Sequence, residues 1–66
     1  MAYYDCEEVT DNETLEAVDD YLYMHCDEYS EINVSNAVVY YNKNSKEYVV
    51  ENSEHLVRVD AFYIDR

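Results

Sequence analysis

Residues 10–31 read TDNETLEAVDDYLYMHCDEYSE, and two patterns run through them together. Leu15, Val18, Leu22, Cys26 and Tyr29 recur at intervals of three and four, the period of a helix with one apolar side. Ahead of them Thr10 and Glu13 stand three apart. At that spacing the threonine hydroxyl accepts from the Glu13 amide while the Glu13 side chain returns to the Thr10 amide, a capping box. The stretch therefore predicts a helix over residues 13–31. The chain contains no glycine, so Asn33 is the residue expected to take the left-handed conformation that closes the helix.

Downstream, residues 36–42, 46–51 and 56–65 read as strands separated by the turn-forming pairs Asn44-Ser45 and Asn52-Ser53. Two short turns imply an antiparallel meander. Alternation puts Glu47, Val49 and Glu51 on one face and Tyr48 and Val50 on the other, and sets Arg58 and Asp60 opposite Val57, Val59 and Ala61. The second set of each should face the helix. Phe62 and Ile64 then fall on the wrong side, which calls for a bulge that flips the pleat or for cover from the N-terminal segment. Upstream, residues 2–6 form a short apolar stretch suited to an edge strand. The expected fold is α+β: one amphipathic helix on a three-stranded antiparallel meander, with the N-terminal edge strand completing a β-α-β-β-β order. Residues 1–66 make one small acidic domain, of a size that buries only about 60% of the surface its unfolded chain exposes.

Charge is distributed unevenly along this frame. Residues 1–42 hold eleven carboxylates and no lysine or arginine, whereas the last 24 residues hold five carboxylates and four basic groups, for a net charge of −12. A field of one sign this dense opposes compaction and repels anionic partners, so its expected counterpart is strongly basic. High net charge is one mark of disorder, but nine valines, nine tyrosines and three leucines in periodic patterns, with neither proline nor glycine, describe a folded chain.

Advancing about 100° per residue along the expected helix, Glu13, Glu16, Asp20, Asp27 and Glu31 fall within roughly 60° of one another, opposite the apolar stripe, with Asp19 and Glu28 flanking them. These seven acids would span about 27 Å, or about one charge per 4 Å. One DNA strand presents a phosphate about every 3.4 Å. An ordinary solvated helix face is the plainer explanation. Such faces, however, interleave lysine with glutamate at four-residue spacing, and here every such pair is repulsive. The macrodipole also disfavours anions in the later turns.

The tyrosines occur as Tyr3-Tyr4, Tyr21, Tyr23, Tyr29, Tyr40-Tyr41, Tyr48 and Tyr63. Tyrosine suits strands and half-buried positions, which accounts for Tyr29, Tyr48 and Tyr63. Adjacent residues in a strand point to opposite faces, so one of Tyr40 and Tyr41 should point outward, and Tyr21 and Tyr23 flank the acidic ridge. An outward tyrosine among carboxylates offers a ring for arginine stacking and a hydroxyl for hydrogen bonding.

Catalytic and metal constellations are weak. His25 and Cys26 are adjacent on a helix, Cys6 and His55 have no ligand spacing to join them, and a calcium loop needs a glycine that is absent. Four basic residues are too few for direct nucleic-acid binding. No apolar run approaches the roughly 20 residues of a membrane span, and an anionic membrane surface would repel the chain. No signal segment opens it, and two cysteines are too few for a disulfide framework, so both read as free cytosolic thiols. The expectation is a non-enzymatic protein with no cofactor and no metal, binding through its charge.

In its size, in the lysine-free acidic stretch from Asp5 to Glu31 and in its inferred helix-plus-sheet build, the chain resembles the small acidic inhibitors of phages and mobile elements that imitate the charge of DNA. These include certain anti-CRISPR proteins, anti-restriction proteins and inhibitors of uracil-DNA glycosylase. The resemblance is one of composition, with no shared motif. It implies an inhibitor in the cytoplasm of a bacterial host that lays the ridge Glu13, Glu16, Asp19, Asp20, Asp27, Glu28 and Glu31, with Tyr21 and Tyr23, into the basic DNA-binding groove of a partner, most specifically a CRISPR effector complex. One alternative is an acidic adaptor that binds a basic host protein without imitating DNA, and another is an inhibitor of a restriction or DNA-repair enzyme. A third is a stress or halophile protein whose charge serves solubility alone.

Overall fold

The computed structural model describes residues 6–65, which form β1 (Cys6–Glu8), α1 (Asn12–His25), β2 (Val38–Asn42), β3 (Glu47–Glu51), β4 (Leu56–Asp60) and a closing 3-10 turn, Ala61–Tyr63. The strands make one antiparallel sheet in the order β1-β2-β3-β4. This is the expected α+β arrangement, a helix packed on a meander. The N-terminal edge strand is present as Cys6–Glu8, paired Cys6 to Asn42 and Glu8 to Tyr40. The rest of its expected span, residues 2–5, lies outside the described residues.

The cap stands one residue later than the capping-box reading places it, and the helix itself starts at Asn12, one residue before the expected 13. Asp11, not Thr10, is the cap: one carboxylate oxygen accepts from both the amide and the hydroxyl of Thr14, each at 2.8 Å. An ionised oxygen is the stronger acceptor, and Thr14 supplies it with two donors. The hydroxyl and amide bonds from Thr14 hold the Asp11 carboxyl below the usual carboxylate range.

The helix also ends earlier than its periodicity implies. Cys26 takes extended backbone (φ −111°, ψ 120°) while its amide still donates to the Leu22 carbonyl at 2.8 Å. At about 1.5 Å per residue the 14-residue helix is about 21 Å long, against about 17 Å for a five-residue strand. Six further helical residues would run about 9 Å past the present helix end and carry Tyr29 away from the sheet. Instead the chain doubles back through turns at 27–36, which brings Ile32 fully into the core. Asn33 is not left-handed, because among the described residues the positive φ belongs to Lys46 (58°). Asn33 works through its side chain, donating to the Tyr29 carbonyl at 2.8 Å and accepting from the Ser35 amide at 2.9 Å.

Both expected turns are organised by an asparagine. Asn42 accepts from the amides of Asn44 and Ser45 as β2 turns into β3, and Asn52 accepts from the amides of Glu54 and His55 as β3 turns into β4. These side chains mimic a backbone turn where glycine is missing. The resulting register pairs Asn42 with Glu47 and Glu51 with Leu56.

The strand faces fall as alternation predicts. Val39, Tyr48, Val50, Val59 and Ala61 pack with Val18 and Leu22 of α1 and with Ile32 to form the core, and Leu15, Tyr21, Cys26, Tyr29, Tyr41 and Val57 pack around it. Tyr41 lies on this helix side against Tyr48, ring centroids 5.0 Å apart, so Tyr40 is the outward member of its pair. The far face of the sheet is not bare, since Val49 is buried there in register between Tyr40 and Arg58.

The 3-10 turn, and not a bulge, resolves the position of Phe62 and Ile64, and β1, the described part of the N-terminal segment, lies at the sheet edge opposite β4. The last strand stops at Asp60, whose carboxylate accepts from the Phe62 amide at 2.9 Å and caps the 3-10 turn. The turn breaks the alternation, so that Ile64 packs against the core and Phe62 points outward. Asp65 then accepts from the buried Tyr48 hydroxyl at 2.8 Å, fastening the end of the described chain to β3. Burial, then that bond, pushes the Tyr48 phenol above its ordinary value.

Candidate partner-binding surface

The expected seven-acid ridge is not continuous. Only Glu13, Glu16, Asp19 and Asp20 belong to α1, whereas Asp27, Glu28 and Glu31 stand on the turns that follow Cys26. On the helix the outward row Glu13, Glu16 and Asp20 spans about 10 Å, in place of about 27 Å. All three are exposed, and among the described residues no lysine or arginine lies within ion-pair distance of them.

Asp19 leaves the ridge because the fold uses it. Half-buried, it accepts from the Tyr29 hydroxyl at 2.8 Å and, at 3.4 Å, from the Val34 amide, so one carboxylate joins the helix to two points of the returning segment. Its hydrogen bond raises the Tyr29 phenol above the ordinary value, with burial and the nearby carboxylates adding to the effect. Asp19 is thus a positioning residue that ties α1 to the returning segment.

The turn acids remain exposed but are held differently. Glu28 lies 3.6 Å from His55 Nδ1, Glu31 accepts from the Ser30 hydroxyl at 3.1 Å, and Asp27 stands in the first turn after the helix. Asn52 ties this segment to the sheet by donating to the Glu31 carbonyl at 3.0 Å. Between α1 and this segment runs an open groove of about 340 Å³ with Leu15 and Val34 at its base and Glu16, Asp19 and Asp20 along its side.

The two tyrosines assigned to the ridge separate. Tyr23 is exposed and meets Tyr29 edge-on at 5.3 Å, on the acidic side. Tyr21 turns the other way, half-buried, with His25 at 4.6 Å and Tyr63 at 5.5 Å. Tyr63 was expected to be structural, yet it is more than half exposed beside an exposed Phe62. This cluster is absent from the sequence reading because residues 56–65 read as one strand. The signal that would have shown it is Asp60 two residues before Phe62, a local cap.

Among the described residues the lysines and the arginine lie on the meander and not on α1. Lys43 and Lys46 are exposed in the turn between β2 and β3, and Arg58 is exposed on the sheet face opposite the helix. Among the described residues no group of three or more His, Cys, Asp or Glu side chains is placed to hold a metal ion, and no helix is long and apolar enough to cross a membrane. Cys6 and Cys26 are half-buried free thiols. No known family model, curated protein or solved structure matches the chain.

Proposed function

We propose that the chain is a non-enzymatic inhibitor that occupies the basic DNA-binding groove of a host defence protein, most specifically an anti-CRISPR protein that blocks target-DNA recognition by a CRISPR effector in the bacterial cytoplasm. The observation that carries this reading is the sorting of charge. Glu13, Glu16, Asp20, Asp27 and Glu31 are exposed around the helix and its returning segment, while Lys43, Lys46 and Arg58 lie on the meander. In ordinary surfaces the two signs interleave. Unrelieved repulsion of this kind costs stability, and a cationic groove would offset that cost on binding.

The acids act as a field and not as a ruler. Three carboxylates over about 10 Å cannot copy a DNA strand, but the molecule measures 29 × 28 × 18 Å, and about eight phosphates of one strand span its long dimension. The groove beside α1 suits individual basic side chains, with Leu15 and Val34 under the aliphatic stem and Glu16 and Asp20 at the charged head. Affinity capture from a bacterial lysate, eluted first with duplex DNA and then with salt, tests the proposal. A nuclease or effector complex released by DNA supports it. A partner that DNA leaves in place favours the adaptor, a reading supported by the exposed Met24 and Phe62, which have no counterpart in a phosphate backbone.

A further inference from the structure

On the flank of α1 away from Tyr23, the helix and the 3-10 turn enclose a second open groove, of about 320 Å³, lined by Tyr21, Met24, His25, Tyr63 and Ile64 with Asp20 on its rim. It carries exposed apolar surface. Met24 is 72% exposed and Phe62, just outside, 71%. Neither exposure follows from a lack of order nearby. Asp60 caps the turn that points Phe62 outward, Phe62 meets Tyr63 edge-on at 5.5 Å, and Tyr63 rests against Tyr21. The cluster is therefore preset, so a partner meets ordered rings at small entropic cost.

We infer that this groove receives an arginine side chain, flanked by an apolar residue, from the basic partner. The inference rests on the proposed function only in taking that partner to be basic. Charge decides the occupant. A second copy would bring two chains of −12 together around carboxylates, and an anionic ligand would meet the same field. A guanidinium stacks on tyrosine rings and its planar fork pairs with a carboxylate, and Tyr21, Tyr63 and Asp20 line this one groove. Met24 and Phe62 cover the neighbouring apolar residue, since methionine adapts to irregular partners. Long-range charge then sets the approach, and this contact sets the residence time.

The test uses two synthetic peptides of equal length and charge, one alternating arginine with leucine and one alternating lysine with serine, titrated into isotopically labelled full-length protein at about 0.15 M ionic strength. The arginine–leucine peptide is expected to bind about tenfold more tightly, with the largest shifts on the Tyr21, Phe62 and Tyr63 rings. Phe62→Ser and Met24→Ser, both at exposed positions, should each remove most of that preference and keep the native spectrum. Equal binding of the two peptides, with shifts spread over Glu13, Glu16 and Asp27, would overturn the groove and leave the charge reading standing. Binding of neither peptide would overturn it too, and the DNA-elution experiment would judge the inhibitor reading separately. Concentration-dependent broadening of the same rings without peptide would seat a second copy there, contrary to the proposal.

Discussion

Helix α1 and the segment 27–36 that follows it carry carboxylates at nearly the same density, four in 14 residues and three in ten, yet they acquire their order from different sources. The helix is fixed by a repeating ladder and by the apolar stripe through Val18 and Leu22. The segment depends on Ile32, its one fully buried side chain, with Tyr29 and Val34 packed beside the core, on isolated turn bonds, and on side-chain hydrogen bonds that involve Asp19, Asn33, Asn36 and Asn52. Equal composition therefore does not mean equal rigidity. The helical acids keep their mutual spacing under most substitutions, whereas those of the segment can be displaced by removing a single anchor.

The largest effects should come from the two anchors themselves. Leu22→Ala and Ile32→Ala should each cost about 2–5 kcal/mol, although only Leu22 belongs to regular structure. A core this small supplies roughly 3–5 kcal/mol in total, so either variant should be largely unfolded in a denaturant titration. A loss below about 0.5 kcal/mol for Ile32→Ala would show that the segment is not held by the core. Asn52→Ala should cost less, about 1–2 kcal/mol, and act locally by freeing the Glu31 carbonyl and two turn amides. Amide exchange should then quicken at Glu54 and His55 and at 31–36, and stay unchanged in α1. Equal acceleration in both regions would erase the distinction between them.

Alkaline titration probes the same joint. The Asp19 bond raises the Tyr29 phenol, and burial followed by the Asp65 bond raises that of Tyr48, both above the ordinary 10.0. A raised folded value means that these groups contribute their full stability below the unfolded value and lose it as pH climbs through the folded one. The melting temperature should therefore fall above pH about 10, with a shallower decline in Tyr29→Phe and Tyr48→Phe. Phenolate absorbance in which these two tyrosines ionise together with the exposed ones would contradict that account. The smallest effect serves as a control outside both regions. Lys46 holds a left-handed φ of 58° that glycine adopts freely, so Lys46→Gly should stabilise the fold by up to about 1 kcal/mol.

What could be read from residues alone follows from how local each cause is. The apolar stripe of α1 and the alternation of Tyr48, Val50, Val57 and Val59 are repeated signals, and each places its face correctly. The helix end was illegible because Cys26 and Tyr29 continue the three-and-four spacing even though the backbone has already turned. Tyr29 reaches the core region by reversal and not by rotation. The cap was ambiguous between adjacent residues that can both accept, and the two donors of Thr14 decide for Asp11. For the candidate surface, the sequence identified which residues are acidic but not which are already engaged. Asp19 reads the same as Asp20 until Tyr29 and Val34 are seen to meet it. The aromatic groove was hidden by the Asp60 cap, which ends a strand that alternation alone would extend.

The most direct test of the central claim is an equilibrium competition between this protein and target duplex DNA for a guide-loaded CRISPR effector, measured at about 0.05 and 0.2 M salt. Inhibition should be competitive with DNA, weaken steeply as exposed charges are screened, and fall further in the folded double variant Asp20→Lys and Asp27→Lys. Inhibition that is indifferent to salt and unaffected by the double reversal, or an effector that binds DNA and this protein together, would contradict it.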